Sequence, residues 1–353
     1  MSILVSDPFG AAGDAELPTL ALALDPAAAR NEFRRRLPRL SGTEGKLRLR
    51  AIRVTRHKPG RRCVLEYDVE VRWPDLPHHP VTLIGKVRAR RSGNEGFRQL
   101  EAIWNAGFDV QSADGISVPE PIGVISDFRM WFQRKVPGQT ATRLLAGPGG
   151  SQLAQRVAEA IHKLHKANVR TERQHTMADE LRILEDCLKK VAQQRPGWAN
   201  RVERVYAACE RLGAGLPPAQ TCGIHRDFYP AQVVVDGARL WLIDFDLFCA
   251  GDPALDLGNF LGHVIEQALR EHGKADALAE VERVLEERFI ELAGEQCRAS
   301  VRAYTTLTLV RHIYLSTQFA ERAHLSAALV DLCEERLGLA QAPKRAEEKK
   351  VRK

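Results

Sequence analysis

Between Cys63 and Arg72 apolar and polar residues alternate, Cys63, Leu65, Tyr67, Val69 and Val71 against Glu66, Asp68, Glu70 and Arg72, with Val64 the one apolar residue on the polar side. A period of two over that length marks a strand with one face in a core and the other in water. Leu47, Leu49 and Ala51 alternate with Arg48 and Arg50 before it, and Ile52 and Val54 follow. After it, Val81, Leu83, Gly85 and Val87 alternate with Thr82, Ile84, Lys86 and Arg88. A basic turn over 56–62 joins the first two runs, and 73–80, with three prolines, is a loop joining the next two. Three strands joined this way make an antiparallel meander. A helix is expected over about 94–105, ended by Ala106-Gly107, and a further strand pair over 118–134. Val136-Pro137-Gly138 then breaks the pattern.

Beyond the break the spacing is helical. Ser151 is a candidate N-cap for a helix with Leu153, Val157, Ile161 and Leu164 on one stripe. Similar spacing recurs over about 176–194, 198–212, 254–270, 274–294, 296–322 and 324–340. One hairpin interrupts it: 233–235, then Asp236-Gly237 as a type I′ turn signal, then 240–243. The order of elements implies an α+β chain with an N-terminal extension (1–40) and a small antiparallel β-rich lobe (41–135). A larger helical lobe (136–342) and a basic tail (343–353) complete it.

Composition narrows the function. The net charge is +7, but the last ten residues carry six Lys or Arg against two Glu, so the body is only mildly basic. Nucleic acid is therefore not an expected partner. Seven scattered cysteines, never spaced as Cys-x-x-Cys, argue against a disulfide framework or zinc site and for a reducing compartment. The first apolar run is broken by Asp7 and Pro8, and the run over 17–24 is too short to span a bilayer. These features lead us to expect a cytoplasmic protein with no membrane partner.

The segment around the hairpin carries the chemistry. His225-Arg226-Asp227-Phe228-Tyr229-Pro230-Ala231-Gln232 precedes it and Ile243-Asp244-Phe245-Asp246 follows. Asp227 and Asp244 are seventeen residues apart with a tight turn between them. Phosphoryl transfer needs such a pair, one carboxylate to take a hydroxyl proton and one to hold Mg²⁺ against phosphates.

In these motifs the chain resembles the aminoglycoside phosphotransferase/choline kinase-like family, relatives of the protein kinases. The family's catalytic loop reads His-Gly-Asp-x-x-x-x-Asn, with an Asp-Phe or Asp-Trp metal motif one hairpin later. Gly251-Asp252-Pro253-Ala254-Leu255-Asp256-Leu257 resembles its Gly-Asp-Pro-x-x-Asp-Leu, and Leu164-His165 its Leu-His. The resemblance implies a bilobal, protein-kinase-like fold and ATP- and Mg²⁺-dependent transfer to a hydroxyl of a small molecule such as an aminoglycoside, amino alcohol or sugar. It casts Asp227 as the catalytic base, Asp244 as a metal ligand, and His225 as packing beneath the metal motif. Asp256 would anchor the catalytic loop. Gln232 stands in the place of the Asn that ligates a second metal, one methylene longer.

The resemblance also implies a nucleotide site in the β-rich lobe. Lys86 lies on the third strand, where this fold places the lysine that pairs with phosphates. Its acidic partner belongs on the next helix, where Glu95 and Glu101 stand roughly 240° apart, so only one can face it; Glu95 is the candidate. Gly60 is a lone glycine where three are usual, flanked by Arg56, Arg61 and Arg62, which either supply charge to phosphate or form a solvated turn. Adenine would meet the backbone near Gln133 and Lys135. Asp246 is either a further metal contact or a solvent-facing acid. Glu180, Glu185 and Asp186 are candidates for a wall recognising an amine-bearing acceptor. Gln232 and the sparse glycines leave a second reading, a pseudokinase that binds nucleotide or scaffolds. Gly251 lies only seven positions after Asp244, too few for the long activation loop of a protein kinase.

Overall fold

The computed structural model describes residues 3–41, 45–72, 79–89 and 93–339. Most of the expected 73–80 loop and the basic tail lie outside these residues. The fold is α+β, and contacts divide it into two compact units: Met1–Ala141, Ala167–Val169 and Ala231–Phe248, and then Thr142–Lys166, Arg170–Pro230 and Cys249–Lys353.

The first unit is built on a six-stranded sheet of β1 (Leu4–Ser6), β2 (Lys46–Lys58), β3 (Arg62–Arg72), β4 (His79–Arg88), β6 (Pro121–Ile125) and β7 (Met130–Arg134), in the order β1-β2-β3-β4-β7-β6. All neighbours are antiparallel except β1 and β2. The meander follows from the alternation: every second residue of β3 and β4 from Cys63 and Val81 on is buried. A register slip between Leu49 and Ala51 lets both Ala51 and Ile52 turn inward, which explains the break in alternation there.

The N-terminal forty residues, expected as an extension, belong to this unit's core. Helices α1 (Leu20–Leu24), α2 (Pro26–Arg36) and α3 (Pro38–Ser41) lie there, α2 capped by Asp25 with Pro26 at its first position. Leu17, Leu20, Phe33 and Leu37 join the buried cluster of the sheet. Phe33 meets Tyr67 and Phe132 edge-on, with ring centroids 5.0 and 5.3 Å away, and the Tyr67 hydroxyl donates to the Ala23 carbonyl. The apolar face of the sheet needs a cover, and these short helices provide it.

Helix α4 (Gly93–Ile103) follows the meander. A four-stranded sheet of β5 (Ile116–Ser117), β8 (Gln139–Thr140), β10 (Val233–Asp236) and β11 (Arg239–Leu242) completes the unit, in the order β5-β11-β10-β8. The hairpin turn sits one residue later than expected. Asp236 pairs with Arg239, so Gly237-Ala238 is the two-residue loop. Gly237 has φ 56° and Ala238 is not in the left-handed region, the pattern of a glycine-first turn rather than type I′.

In the second unit, β9 (Cys222–Ile224) and β12 (Cys249–Gly251) form an antiparallel pair amid helices. These are α5 (Ala141–Leu144, at the passage between units), α6 (Gly150–Lys166), α7 (Met177–Gln194), α8 (Ala199–Ala214), α9 (Pro253–His272), α10 (Ala279–Ala293), α11 (Arg298–Thr317) and α12 (Ser326–Arg336). Ser151 lies inside α6 rather than capping it, whereas Thr176 and Asp179 close a capping box on α7. Helix α9 runs close against α11 because Gly258 and Gly262 face it. A Cβ at either would fall 2.5 Å from the side chain of Tyr304 or Thr308. All seven cysteines are free thiols. Among the described residues no helix is long and apolar enough to cross a membrane.

Phe33→Ala should cost about 3–5 kcal/mol of unfolding free energy, whereas Phe9→Ala, at a half-exposed ring, should stay within about 0.5 kcal/mol. Urea titration of the two variants checks this.

Candidate active site

In the β-rich unit, β4 presents Lys86 and Arg88 on its wetter face, and each meets an acid from the segment after β11. Lys86 Nζ lies 3.1 Å from Asp244 Oδ1 and 5.2 Å from the centre of the Trp131 ring. Arg88 pairs with Asp246. Asp244 has φ 65°, a left-handed conformation uncommon for any residue but glycine. The preceding amide, of Ile243, donates to the Gln232 carbonyl at 3.0 Å, which ties the ends of the hairpin together. The Gln232 side chain is buried.

Several expected nucleotide contacts are placed differently. Glu95 is exposed on α4 and Glu101 binds Arg39 at 2.8 Å, so the acid beside Lys86 is Asp244, not one from the helix. Gly60 adopts φ 65° at the turn between β2 and β3, but its amide donates to Asp14 Oδ2 at 2.9 Å. His57 shares that carboxylate oxygen at 2.8 Å. The Gly60 amide and then the His57 ring hold the Asp14 carboxyl below its usual range. Gln133 is buried in β7, and the Lys135 ammonium lies 2.7 Å from Glu66. The amides of Arg134 and Lys135 donate to the Glu120 and Thr82 carbonyls, so neither is left for a base edge.

Magnesium usually takes one or two protein oxygens and completes its shell with water and phosphate. Among the described residues no cluster of three His, Cys, Asp or Glu could hold a metal ion. Asp244, with an oxygen-bearing Gln232 bonded through its carbonyl to the preceding residue, fits a cation that arrives with phosphate and does not fit an all-protein cage.

In the helical unit, the chain leaves β9 into His225-Arg226-Asp227-Phe228, and two buried side chains of α9 hold this loop. Asp256, with no exposed surface, accepts from the amides of His225 at 2.8 Å and Arg226 at 2.6 Å. His165 Nε2 lies 2.9 Å from the same carboxylate. Asn259 donates to the Phe228 carbonyl at 2.8 Å. Both backbone neighbours of Asp227 are thus fixed, and Arg226 is held at φ 68°. His225 is completely buried and its ring lies against Phe228. Asp227, expected to be the base, is half-buried and keeps part of its surface exposed.

A second layer supports Asn259. Arg311 donates to its amide oxygen and lies 3.5 Å from Glu180, which is 2.6 Å from His175. Glu180 is therefore buried structure rather than an exposed acceptor wall, and Glu185 pairs with Lys189 along the helix. Tyr229 stacks on His263 at 4.6 Å, and His263 meets His312 edge-on. Burial first, then Arg311, Arg322 and Arg270, push His312 down to about 3. Burial, then His312, Arg311 and Arg322, lower His263 as well.

Sequence reasoning missed Arg88, Asp14, Asn259 and Arg311. For Arg88 there was a signal, the matching two-residue spacing of Lys86/Arg88 and Asp244/Asp246; the others depend on tertiary placement.

With this geometry established, the comparisons with known proteins assign the family. The family model described as "Phosphotransferase enzyme family" matches residues 100–300, more than half of the chain. The chain belongs to that family. No curated protein matches the sequence. Among solved structures, the chain is similar to a choline/ethanolamine kinase family protein from Mesorhizobium loti, at 17% identity over 92% of this chain and 94% of that one, TM-score 0.54. It is similar to amicoumacin kinase in complex with AMP-PNP, Ca²⁺ and Ami at 15% identity, covering 80% and 88%, TM-score 0.56. Aminoglycoside phosphotransferase APH(4)-Ia matches at 17% identity, covering 89% and 100%, TM-score 0.53. At these identities the likeness establishes a shared kinase-like fold.

Because folded His312 binds its proton only near pH 3 and the unfolded residue near 6.5, the unfolded state takes up the proton first on acidification. Stability should fall below about pH 6.5, by about 2 kcal/mol between pH 7 and pH 5 from this residue alone. Urea unfolding of wild type against His312→Phe, which should flatten the dependence, measures it.

Proposed function

We propose that the protein transfers the γ-phosphoryl group of ATP to a hydroxyl group of a small molecule, in a reaction that uses Mg²⁺. The observation that carries this reading is the loop around Asp227, fixed on both sides by Asp256 and Asn259. Rigid placement of one carboxylate is what a general base requires, since proton transfer contributes only when donor and acceptor are held within hydrogen-bond reach. Asp227 would take the acceptor's proton as its oxygen forms a bond to phosphorus and the bond to the ADP oxygen breaks. Lys86 would stabilise charge on the phosphates. Asp244, with Gln232, would hold the magnesium, which when bound neutralises charge developing on the phosphate oxygens. His225 and Asp256 keep Asp227 in place.

Two similar structures support this chemistry for those proteins. Amicoumacin kinase was solved with AMP-PNP, Ca²⁺ and Ami, and a thermostable mutant of APH(4)-Ia with ADP and hygromycin B. We carry over the class of acceptor: an aminoglycoside, amino alcohol or sugar-like hydroxyl compound. The β-rich unit would serve the nucleotide and the helical unit the acceptor. The capture of the Gly60 amide by Asp14 favours the second reading, a nucleotide-binding scaffold, and turnover distinguishes the two.

A nucleotide-consumption screen against aminoglycosides, amino alcohols and sugars should find at least one acceptor that raises ADP release. Asp227→Asn should lower that rate by about 10²–10⁴-fold with nucleotide affinity retained. Equal turnover by Asp227→Asn would remove it as the base, and no turnover with any acceptor would favour the scaffold.

A further inference from the structure

The wet face of the meander carries more positive charge than its acids balance. Arg62 and Arg88 are register partners on β3 and β4, and Val64 stands between Arg56 on β2 and Lys86 on β4. Like charges directly opposite one another weaken a strand pair. These four cations line one hollow of about 30 Å³ together with Asp244 and Asp246, so the hollow has a net charge of +2.

Asp244 pairs with Lys86 and Asp246 with Arg88. Among the described residues no carboxylate lies within ion-pair distance of Arg56 or Arg62. Burial, followed by Arg56 and Arg88, lowers the Arg62 pKa despite the pull of Asp244 and Asp246. Lys58 at the same turn is lowered by burial and by Arg62, Arg56 and Arg61. Backbone offers no substitute, because the amide of Gly60 is already bonded to Asp14. A side-chain site that repels itself and has lost its backbone donor is complementary to a multiply charged anion.

We propose that Arg62 and Arg88 are phosphate ligands of the nucleotide, replacing a glycine-rich backbone loop, and that Asp246 holds Arg88 until phosphate displaces it. The inference rests on the phosphotransferase reading and deepens it. A guanidinium presents paired donors that match two phosphate oxygens. A polyphosphate in the hollow offsets the excess charge and relieves the Arg62–Arg88 opposition. When Arg88 moves to phosphate, its ion pair with Asp246 is given up.

The test uses the full chain and reads binding rather than turnover. Inorganic tripolyphosphate, ADP and adenosine are titrated calorimetrically into wild type, Arg62→Met and Asp246→Asn without metal, and melting is followed without ligand. Arg62→Met should bind tripolyphosphate and ADP about tenfold or more weakly, the loss expected for hydrogen bonds to a charged group, with adenosine unchanged. Its ligand-free melting temperature should rise as the like-charge opposition is removed. Asp246→Asn, which frees Arg88, should bind tripolyphosphate more tightly than wild type, and this arm stands even if Arg62→Met does not fold. Wild-type tripolyphosphate affinity in Arg62→Met, or weaker binding in Asp246→Asn, would overturn the inference while leaving the phosphotransferase reading intact. Failure of the wild type to bind either ADP or tripolyphosphate would overturn both.

Discussion

The ion pair between Lys86 and Asp244 joins two parts of the chain 158 residues apart. It ties the segment Ala231–Phe248 into the unit formed by the N-terminal part of the chain. Both side chains are largely out of water, where an unpartnered charge is costly and a paired one is tolerated. The pair therefore fixes which face of β4 the hairpin segment meets, and a two-residue offset carries Arg88 to Asp246 along the same line. A site organised this way keeps its cations and acids together before any ligand arrives. Under the proposed function, phosphate and metal binding would be exchanges among those partners.

The helical unit solves a different problem. A short loop that leaves a strand and must present one carboxylate has several backbone groups to satisfy. Asp256 and Asn259, one turn apart on α9, take the amides and carbonyl flanking Asp227. Arg311 from α11 then locks Asn259. The close approach of α9 and α11 allowed by Gly258 and Gly262 brings that arginine within reach. Helix packing and loop geometry are thus one construction, in which the absence of a Cβ at Gly258 and Gly262 lets a guanidinium from the next helix support the loop.

Much of this was legible in the sequence. The meander followed from alternation, the hairpin from its turn residues to within one position, and the helical run from its period, because each is a local property of neighbouring residues. The resemblance in motifs agreed with the family assignment. What could not be read depends on which surfaces meet. The first forty residues gave only weak helical pattern, yet Phe33 and Leu20 complete the core because the sheet's apolar face has to be covered. Asp14 is 46 residues from Gly60 and Asn259 is 52 from Arg311, separations at which no spacing rule applies. Helix geometry fixes the angle between Glu95 and Glu101 but not which way the helix faces, so it could not choose between them.

Calorimetric titration of ADP with and without Mg²⁺, in wild type and in Asp244→Asn, tests the central claim most directly. It needs no acceptor and no turnover. The account predicts that Mg²⁺ strengthens ADP binding in wild type and that this gain disappears in Asp244→Asn, whose metal-free affinity is not weaker than that of wild type. An unchanged gain from Mg²⁺ in Asp244→Asn, or none in wild type, would contradict it.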